Sequence, residues 1–425
     1  MYDRELERVE KKIFQIVKSG RLNGKKVFLF GVSDNTRQII QMLRETGITP
    51  QNVIDNDISK QHSYCGGIKV VGIQCPQDDK NVYIIYSAYW REMIAQLYHL
   101  GIKKRNILLL YRKPGTIWKL IGYTYFGKYL YKKLVDEYGD VPVFVCPYTG
   151  TGDIYLIGTF WEQYLKKNNI EDYVFVVITG ACKKVANLCN IKNVHLVEKK
   201  WHVSVMLNYY MLCPEETKIK VLNDSWGQIH TNQIEWFRGY KGLYFTKLFK
   251  EYVFNLSDVQ PKHPILEDVS TEIESIALDK NLIKGKTVIL SPYSNTLSDL
   301  PVSFWEKIAV AIKRKGLIVC TNSSGKGEPA INGTIPVFFP LNIAPQFIQW
   351  AGYFIGVRSG FCDIISSSDA KKIILYDKRN RFYMGSAYEY FSLKDMGLAD
   401  DVIEILYDSI DVDETYEMVM KAIDL

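Results

Sequence analysis

The chain has 425 residues, too many for one ordinary hydrophobic core, so two or three domains are expected. Hydrophobic residues make up 47% and charged residues 24%, as in a globular protein, and the 13% aromatics with 29 Tyr favour surfaces that stack on sugars or sit at interfaces. The formal charge of +6 is spread along the chain, which suits phosphate-bearing ligands or an anionic membrane surface and argues against a nucleic-acid binder with a dense basic stripe.

Residues 3–18 put Leu6, Val9, Ile13, Ile16 and Val17 on one helical face. This charged amphipathic start has no apolar h-region, so no signal peptide is expected, and no apolar run is long enough to span a membrane. A buried strand is expected at 26–31, its helix at 36–46, strands at 52–55 and 82–86, a helix at 89–100 and a strand at 107–111. Strands alternating with helices predict a parallel α/β sheet, closed by the breakers Lys113-Pro-Gly115. Residues 116–139 interleave Trp118, Tyr123, Tyr125, Phe126, Tyr129, Tyr131 and Tyr138 with lysines. This reads either as a helix lying on a membrane surface or as a connecting helix packed between domains.

A second α/β unit is expected from Val141, with strands at 141–145, 173–179 and 194–197 and helices at 154–165 and 183–189. Residues 255–285, with Pro261, Pro264 and a helix at 269–278, read as a bridge. The third unit has strands at 287–290, 317–321, 353–357 and 372–376 and helices at 302–315, 344–351 and 362–368, and its tail from Asp400 reads as helical turns packing back across the fold. The expected division is 1–113 accessory unit, 114–140 connecting helix, 141–255 second unit, 256–285 bridge and 286–425 third unit with its tail. The eight cysteines, Cys65, Cys75, Cys146, Cys182, Cys189, Cys213, Cys320 and Cys362, form no C-x-x-C and read as free thiols of a reducing compartment. The six histidines form no H-x-x-x-H pair, so structural zinc is not expected.

Two segments carry the chemistry. Cys146-Pro-Tyr-Thr-Gly-Thr-Gly-Asp153 leaves an apolar strand and opens a helix; Arg358-Ser-Gly-Phe-Cys-Asp363 repeats the arrangement. Such turns leave N–H groups unpaired where the helix dipole favours negative charge. Asp153 reads either as a general base or as the N-cap of its helix. Thr149, Gly150, Thr151 and Gly152 would allow close approach of an acceptor beside it. Ser291, Ser294 and Asn295 follow the first strand of the third unit at its carboxyl end, where open α/β sheets bind ligands. Asn322 and Lys326 lie on a Gly/Ser loop without P-loop spacing. Arg358, placed after a buried strand and before Ser359 and Gly360, calls for an anionic partner, and Asp363 reads as a helix cap or a ribose ligand. In the first unit, Gly31 stands alone where a dinucleotide fingerprint needs several glycines, so no pyrophosphate loop is expected, although Asp55 occupies the ribose-binding place. Asp55-Asn-Asp57 matches the metal-binding D-x-D only as a three-residue pattern, so neither a metal nor a cofactor is expected.

On these residues, Val141 to the end resembles GT-B glycosyltransferases, most closely the heptosyltransferase-like group. Gly152-Asp153 matches the Gly-Asp that carries the family's proposed base, Ser291 to Thr296 its Ser-rich loop, Phe304-Trp305 its Trp-containing helix start and Arg358-Ser359-Gly360 its later Asp-Ser-Gly turn. The chain departs in having Arg358 for that Asp, and Cys362-Asp363 in place of the usual His, so the resemblance implies the GT-B plan rather than an ADP-heptose donor. Residues 25–112 resemble the small Rossmann-like modules found beside sugar-modifying enzymes, through Val53-Ile-Asp-Asn56 and Gly67-Ile-Lys-Val-Val-Gly72. The resemblance implies an α/β fold of three Rossmann-like parallel-sheet units, the last two forming a GT-B pair with the active site in the cleft between them. It further implies a metal-independent, inverting glycosyltransferase of surface-polysaccharide assembly, cytoplasmic or at the inner face of the membrane. Such an enzyme takes a nucleotide-sugar donor and a glycan or lipid-linked acceptor. Two other readings are open on the same residues. One is a polysaccharide pyruvyltransferase-like enzyme using Arg358 with Arg379 or Arg381; the other is a nucleotide-sugar-binding protein in which Asp153 is only a cap.

Overall fold

The computed structural model describes residues 2–33, 35–73, 78–87, 90–110, 116–222, 245–294, 300–323, 325, 327–378, 386–408 and 412–424. In chain order the elements begin with α1 (Tyr2–Lys18), β1 (Lys26–Phe30), α2 (Thr36–Glu45), β2 (Asn52–Ile54), β3 (Tyr64–Cys65), β4 (Ile68–Val71), β5 (Asn81–Ile85), α3 (Trp90–His99), β6 (Ile107–Leu109) and α4 (Thr116–Tyr138). They continue with β7 (Val143–Val145), α5 (Thr151–Lys167), β8 (Val174–Val177), α6 (Gly180–Leu188), β9 (Val194–Leu196), α7 (Trp201–Leu212) and β10 (Ile219–Val221). After a π-helical turn at Leu248–Val253 come α8 (Ser270–Asp279), β11 (Thr287–Ser291), α9 (Val302–Arg314), β12 (Ile318–Asn322), β13 (Ile335–Val337), α10 (Ala344–Ala351) and β14 (Gly352–Val357). The chain closes with α11 (Gly360–Ile364), β15 (Lys371–Asp377), α12 (Tyr388–Phe391), β16 (Val402–Tyr407) and α13 (Val412–Asp424). Two compact units result, one holding residues 2–140 and 201–222, the other residues 141–200 and 245–424. No helix among the described residues is long and apolar enough to cross a membrane.

In the first unit the sheet order is β3-β4-β2-β1-β5-β6, parallel except for the β3–β4 pair. That hairpin was not expected. It turns on Gly66 and Gly67, both at positive φ (56° and 76°), which only glycine adopts without strain. The apolar faces of β1 and β5 bury Val27, Leu29 and Ile84 against Ile39, Ile40 and Leu43 of α2. Helices α4 and α7 pack closely in this unit: a Cβ on Gly127 of α4 would meet the Val205 carbonyl oxygen at 2.2 Å and Tyr209 Cβ at 2.8 Å. Tyr131 of α4 also accepts the Lys218 backbone N–H at 2.9 Å.

In the second unit β7, β8 and β9 run parallel. Every residue of β7 and β8 is buried, as a strand covered on both faces requires. Helix α5 holds to them through aromatics. Trp161 meets Phe144 edge-on at 4.8 Å between ring centroids, and its indole N–H donates to Tyr173 Oη at 3.0 Å. The other sheet of this unit is entirely parallel, in the order β13-β12-β11-β14-β15-β16. The tail expected as helical turns is instead strand β16, paired with β15 from Lys372↔Val402 to Asp377↔Tyr407, followed by α13. Ile403, Ile405 and Tyr407, two residues apart along it, pack into one hydrophobic core, the spacing of a strand face. Three sheets dominated by parallel pairing are thus present.

The α4–α7 contact supplies a paired test. Gly127→Ala should destabilise the first unit by about 1–3 kcal/mol, the usual effect of overpacking. Gly122→Ala, on the same helix but with nothing within 4 Å of its Cβ position, should instead be neutral or stabilising by up to about 1 kcal/mol. Chemical denaturation of the two variants measures both.

Candidate active site

The order β13-β12-β11-β14-β15-β16 places the first strand of its sheet, β11, beside β14, with the chain winding outward on either side. This is a topological switch point, where crossovers on opposite faces leave a crevice at the carboxyl ends of the two central strands. Ser291 closes β11, buried and in register opposite Gly356, and Ser294 Oγ donates to the Arg358 carbonyl at 3.3 Å. The loop after β11 and the turn after β14 are therefore joined at the mouth of the crevice. Asn322 ends the neighbouring strand β12. Asn295 and Lys326 lie outside the described residues, as do Arg379 and Arg381.

Arg358, expected to call for an anionic ligand, and Asp363, expected as a helix cap or a ribose ligand, are each other's partners. Arg358 Nη2 donates to Asp363 Oδ1 at 2.6 Å and Nη1 to Oδ2 at 3.1 Å, with the two side chains 6% and 4% exposed. Arg358 Nε donates to the Phe391 carbonyl at 2.9 Å, Nη1 also donates to the Ser359 carbonyl, and the guanidinium lies 5.6 Å from the Phe391 ring centroid. The Asp363 carboxylate keeps the Arg358 charge in place despite burial, and the Arg358 pKa stays above its ordinary value. Most of the guanidinium's donor capacity is spent inside the protein, so the pair fixes the shape of the turn from 358 to 363. The N-cap of α11 is Ser359, with Asp363 inside the helix.

The second turn reaches the same place. Helix α5 begins at Thr151 rather than Ile154, and its N-cap is Gly150 in extended conformation (φ −77°, ψ 135°). Asp153 is thus the third residue of the helix and not its N-cap. Its carboxylate folds back over the helix start, Oδ2 standing 2.3 Å from where a Gly150 Cβ would be. Thr149 and Gly150 are exposed and Thr151 half-buried, while Gly152 is buried against the other turn. A Cβ on Gly152 would lie 2.8 Å from Gly360 Cα and 2.5 Å from Asp363 Oδ2, and one on Gly360 would lie 2.6 Å from Gly152 N. The two turns singled out in the sequence meet backbone to backbone.

Beneath Asp153 lie two buried thiols. Burial pushes Cys146 well above the ordinary thiol value and raises Cys182, and the nearby Asp153 adds to both shifts, which keeps the thiols protonated. Thr179 caps α6 by accepting the Cys182 N–H at 3.1 Å. Sequence reading missed the pairing of Tyr155, one turn into α5, with His263, whose Nδ1 lies 3.0 Å from Tyr155 Oη. The signal available was a lone His between Pro261 and Pro264. The Asp55-Asn-Asp57 segment has a local role: Asp55 accepts the backbone N–H groups of Val32 at 2.7 Å and Asp57 at 2.9 Å, and Asp57 accepts from Ser59. No group of three or more His, Cys, Asp or Glu is placed to hold a metal ion among the described residues.

No family model and no curated protein matches the chain. Among solved structures it is similar to the ADP-heptose lipopolysaccharide heptosyltransferase II of E. coli, at 11% identity over 67% of this chain and 97% of that one, with a TM-score of 0.45. It is also similar to a family 9 glycosyl transferase from Veillonella parvula, at 13% identity over 66% of this chain and 90% of the other, TM-score 0.44. A UGT transferase from Siraitia grosvenorii in complex with UDP aligns with 94% of this chain and 90% of its own at 12% identity, TM-score 0.26.

His263 gives a pH prediction. Desolvation is the main cause that lowers its pKa below the ordinary 6.5, and the nearby Lys372 charge acts in the same direction. The unfolded chain therefore binds this proton more readily than the folded one, so stability is full above about pH 6.5 and is lost as the pH falls toward the folded value. His263→Gln should flatten that part of the acid limb relative to wild type, as read by melting temperature from pH 7.5 to 5.

Proposed function

We propose that the chain is a metal-independent, inverting glycosyltransferase, moving a sugar from a nucleotide-sugar donor to a glycan or lipid-linked acceptor during surface-polysaccharide assembly in the cytoplasm. The observation that carries this reading is the meeting of Gly152 and Gly360. It sets the carboxylate-bearing head of α5 against the switch point of a parallel sheet, inside one compact unit. The nucleoside diphosphate would occupy the crevice between Ser291–Ser294 and Arg358–Gly360, with Asn322 at the end of the neighbouring strand. Ser359 and Gly360 would offer hydroxyl and backbone N–H, while Arg358 and Asp363 would hold the turn in shape. Thr149, Gly150 and Thr151 would line the acceptor side, while Gly152, expected there too, is buried against Gly360.

In the reaction, Asp153 would take the proton of the acceptor hydroxyl as its oxygen bonds to the anomeric carbon and the carbon–phosphate-oxygen bond breaks on the far face. The electron pair leaves with the nucleoside diphosphate, and donors fixed before the reaction stabilise that growing charge more than they stabilise the bound donor. The exposed apolar row of α4, where Ile121, Tyr125 and Tyr129 are 40%, 73% and 53% exposed, supports peripheral contact with a membrane surface.

The position of Asp153 allows a sharp test. Asp153→Asn keeps the shape and gives up only the attraction of a carboxylate to its own helix start, about 0.3–1 kcal/mol. Turnover should fall by about 10²–10⁴-fold, the contribution of a positioned general base. Binding of nucleoside diphosphates, in the presence of a chelator, should be nearly unchanged. An Asn variant with wild-type turnover would leave Asp153 a purely structural group. Donor binding that disappears in chelator and returns with manganese would overturn the metal-independent reading.

A further inference from the structure

The first unit contains a cavity of about 540 Å³ between α3, β6, α4 and α7. Ile94, Leu109 and Leu212 form its body, while Lys104, Lys128 and Glu216 form a charged end. We infer that this cavity binds an amphiphile, holding its aliphatic chain in the apolar body and its anionic phosphate at Lys104.

Volume fits first, since ligand pockets run roughly 300–1,000 Å³ and take most of their area from apolar side chains. Of the hydroxyls in the lining, Thr124 accepts from Asn208 and Tyr209 donates to Glu216, so the wall offers mainly apolar surface, which matches an aliphatic chain. Charge decides the head. Lys128 is already paired with Glu216 at 2.8 Å and lies 5.9 Å from the Tyr209 ring centroid. The Lys104 side chain has neither a hydrogen-bond nor an ion-pair partner among the described residues, while its neighbours Lys103 and Arg105 share Asp79. An exposed cation beside an apolar cavity matches a headgroup of opposite sign. Ile121 and Tyr125 line the cavity while remaining 40% and 73% exposed, so its wall continues into the apolar surface of α4, the side from which a chain would enter. The site lies wholly within the first unit, so its failure would leave the transfer chemistry proposed for the other unit untouched.

Calorimetric titration of the full chain with dodecyl phosphate below its critical micelle concentration tests the proposal, with dodecyl maltoside and inorganic phosphate as comparators. Saturable binding of dodecyl phosphate is expected, tighter than that of dodecyl maltoside, and inorganic phosphate alone should give no heat at the same concentrations. Lys104→Glu, on an exposed side chain, should weaken dodecyl phosphate by about tenfold, the order of a charge-assisted contact, and leave dodecyl maltoside unchanged. Leu212→Trp should weaken both detergents by filling the cavity, with circular dichroism checking its fold. If that variant does not fold, the Lys104→Glu result decides. No saturable binding, or equal binding of both detergents unaffected by Lys104→Glu, overturns the proposal.

Discussion

The candidate site depends on one steric constraint: two backbone segments meet where neither tolerates a side chain. A Cβ at Gly152 or at Gly360 would overlap the opposite turn, in both cases with the main chain among the atoms it meets. Such an overlap cannot be relieved by a rotamer change, because backbone atoms on both sides would have to move. The Arg358–Asp363 pair holds one side of this contact in shape. Buried ion pairs add little net stability over apolar substitutes, but losing one partner strands a charge and costs about 3–5 kcal/mol. Its value here is geometric: the pair fixes the path of the chain from the end of β14 into α11, and with it the surface that meets α5.

The chemistry proposed here lies at the later sheet, and the first sheet differs in how its backbone groups are used. Both sheets have a switch point, between β1 and β5 in one and between β11 and β14 in the other. At the first, side chains of the protein itself consume the backbone groups that a phosphate would need. Asp55 takes the Val32 N–H, and Thr36 takes the Ser33 N–H while donating to the Gly31 carbonyl. A turn satisfied in this way is a structural closure. At the later switch point, Ser294 is spent on a carbonyl, which ties the two loops together without occupying backbone donors.

Much of this plan was legible in the sequence, because parallel strands buried on both faces read as continuous apolar runs and their helices as apolar stripes. Val143–Val145, Val174–Val177 and Thr287–Ser291 lie within or against their expected spans for that reason. What was missed depended on shorter signals. The β3–β4 hairpin rests on two glycines between two-residue and four-residue strands, and β16 alternates weakly enough to resemble helical turns. Helix α7, Trp201–Leu212, is apolar nearly all round and shows no stripe. At the site, spacing identified the two turns and the residues on them. It could not reveal that Arg358 spends its charge on Asp363 five residues away, nor that Asp153 sits in the first turn of its helix rather than at the cap. Those are facts of three-dimensional pairing, and either assignment is compatible with the same run of letters.

Amide hydrogen exchange of the full chain with and without saturating UDP, GDP, ADP or CDP, all in chelator, tests the central claim most directly. At least one of these should slow exchange at residues 291–294 and 358–363 and leave residues 31–36 and 86–87 unchanged. Protection confined to the first sheet's switch point, or none with any nucleotide, would contradict it.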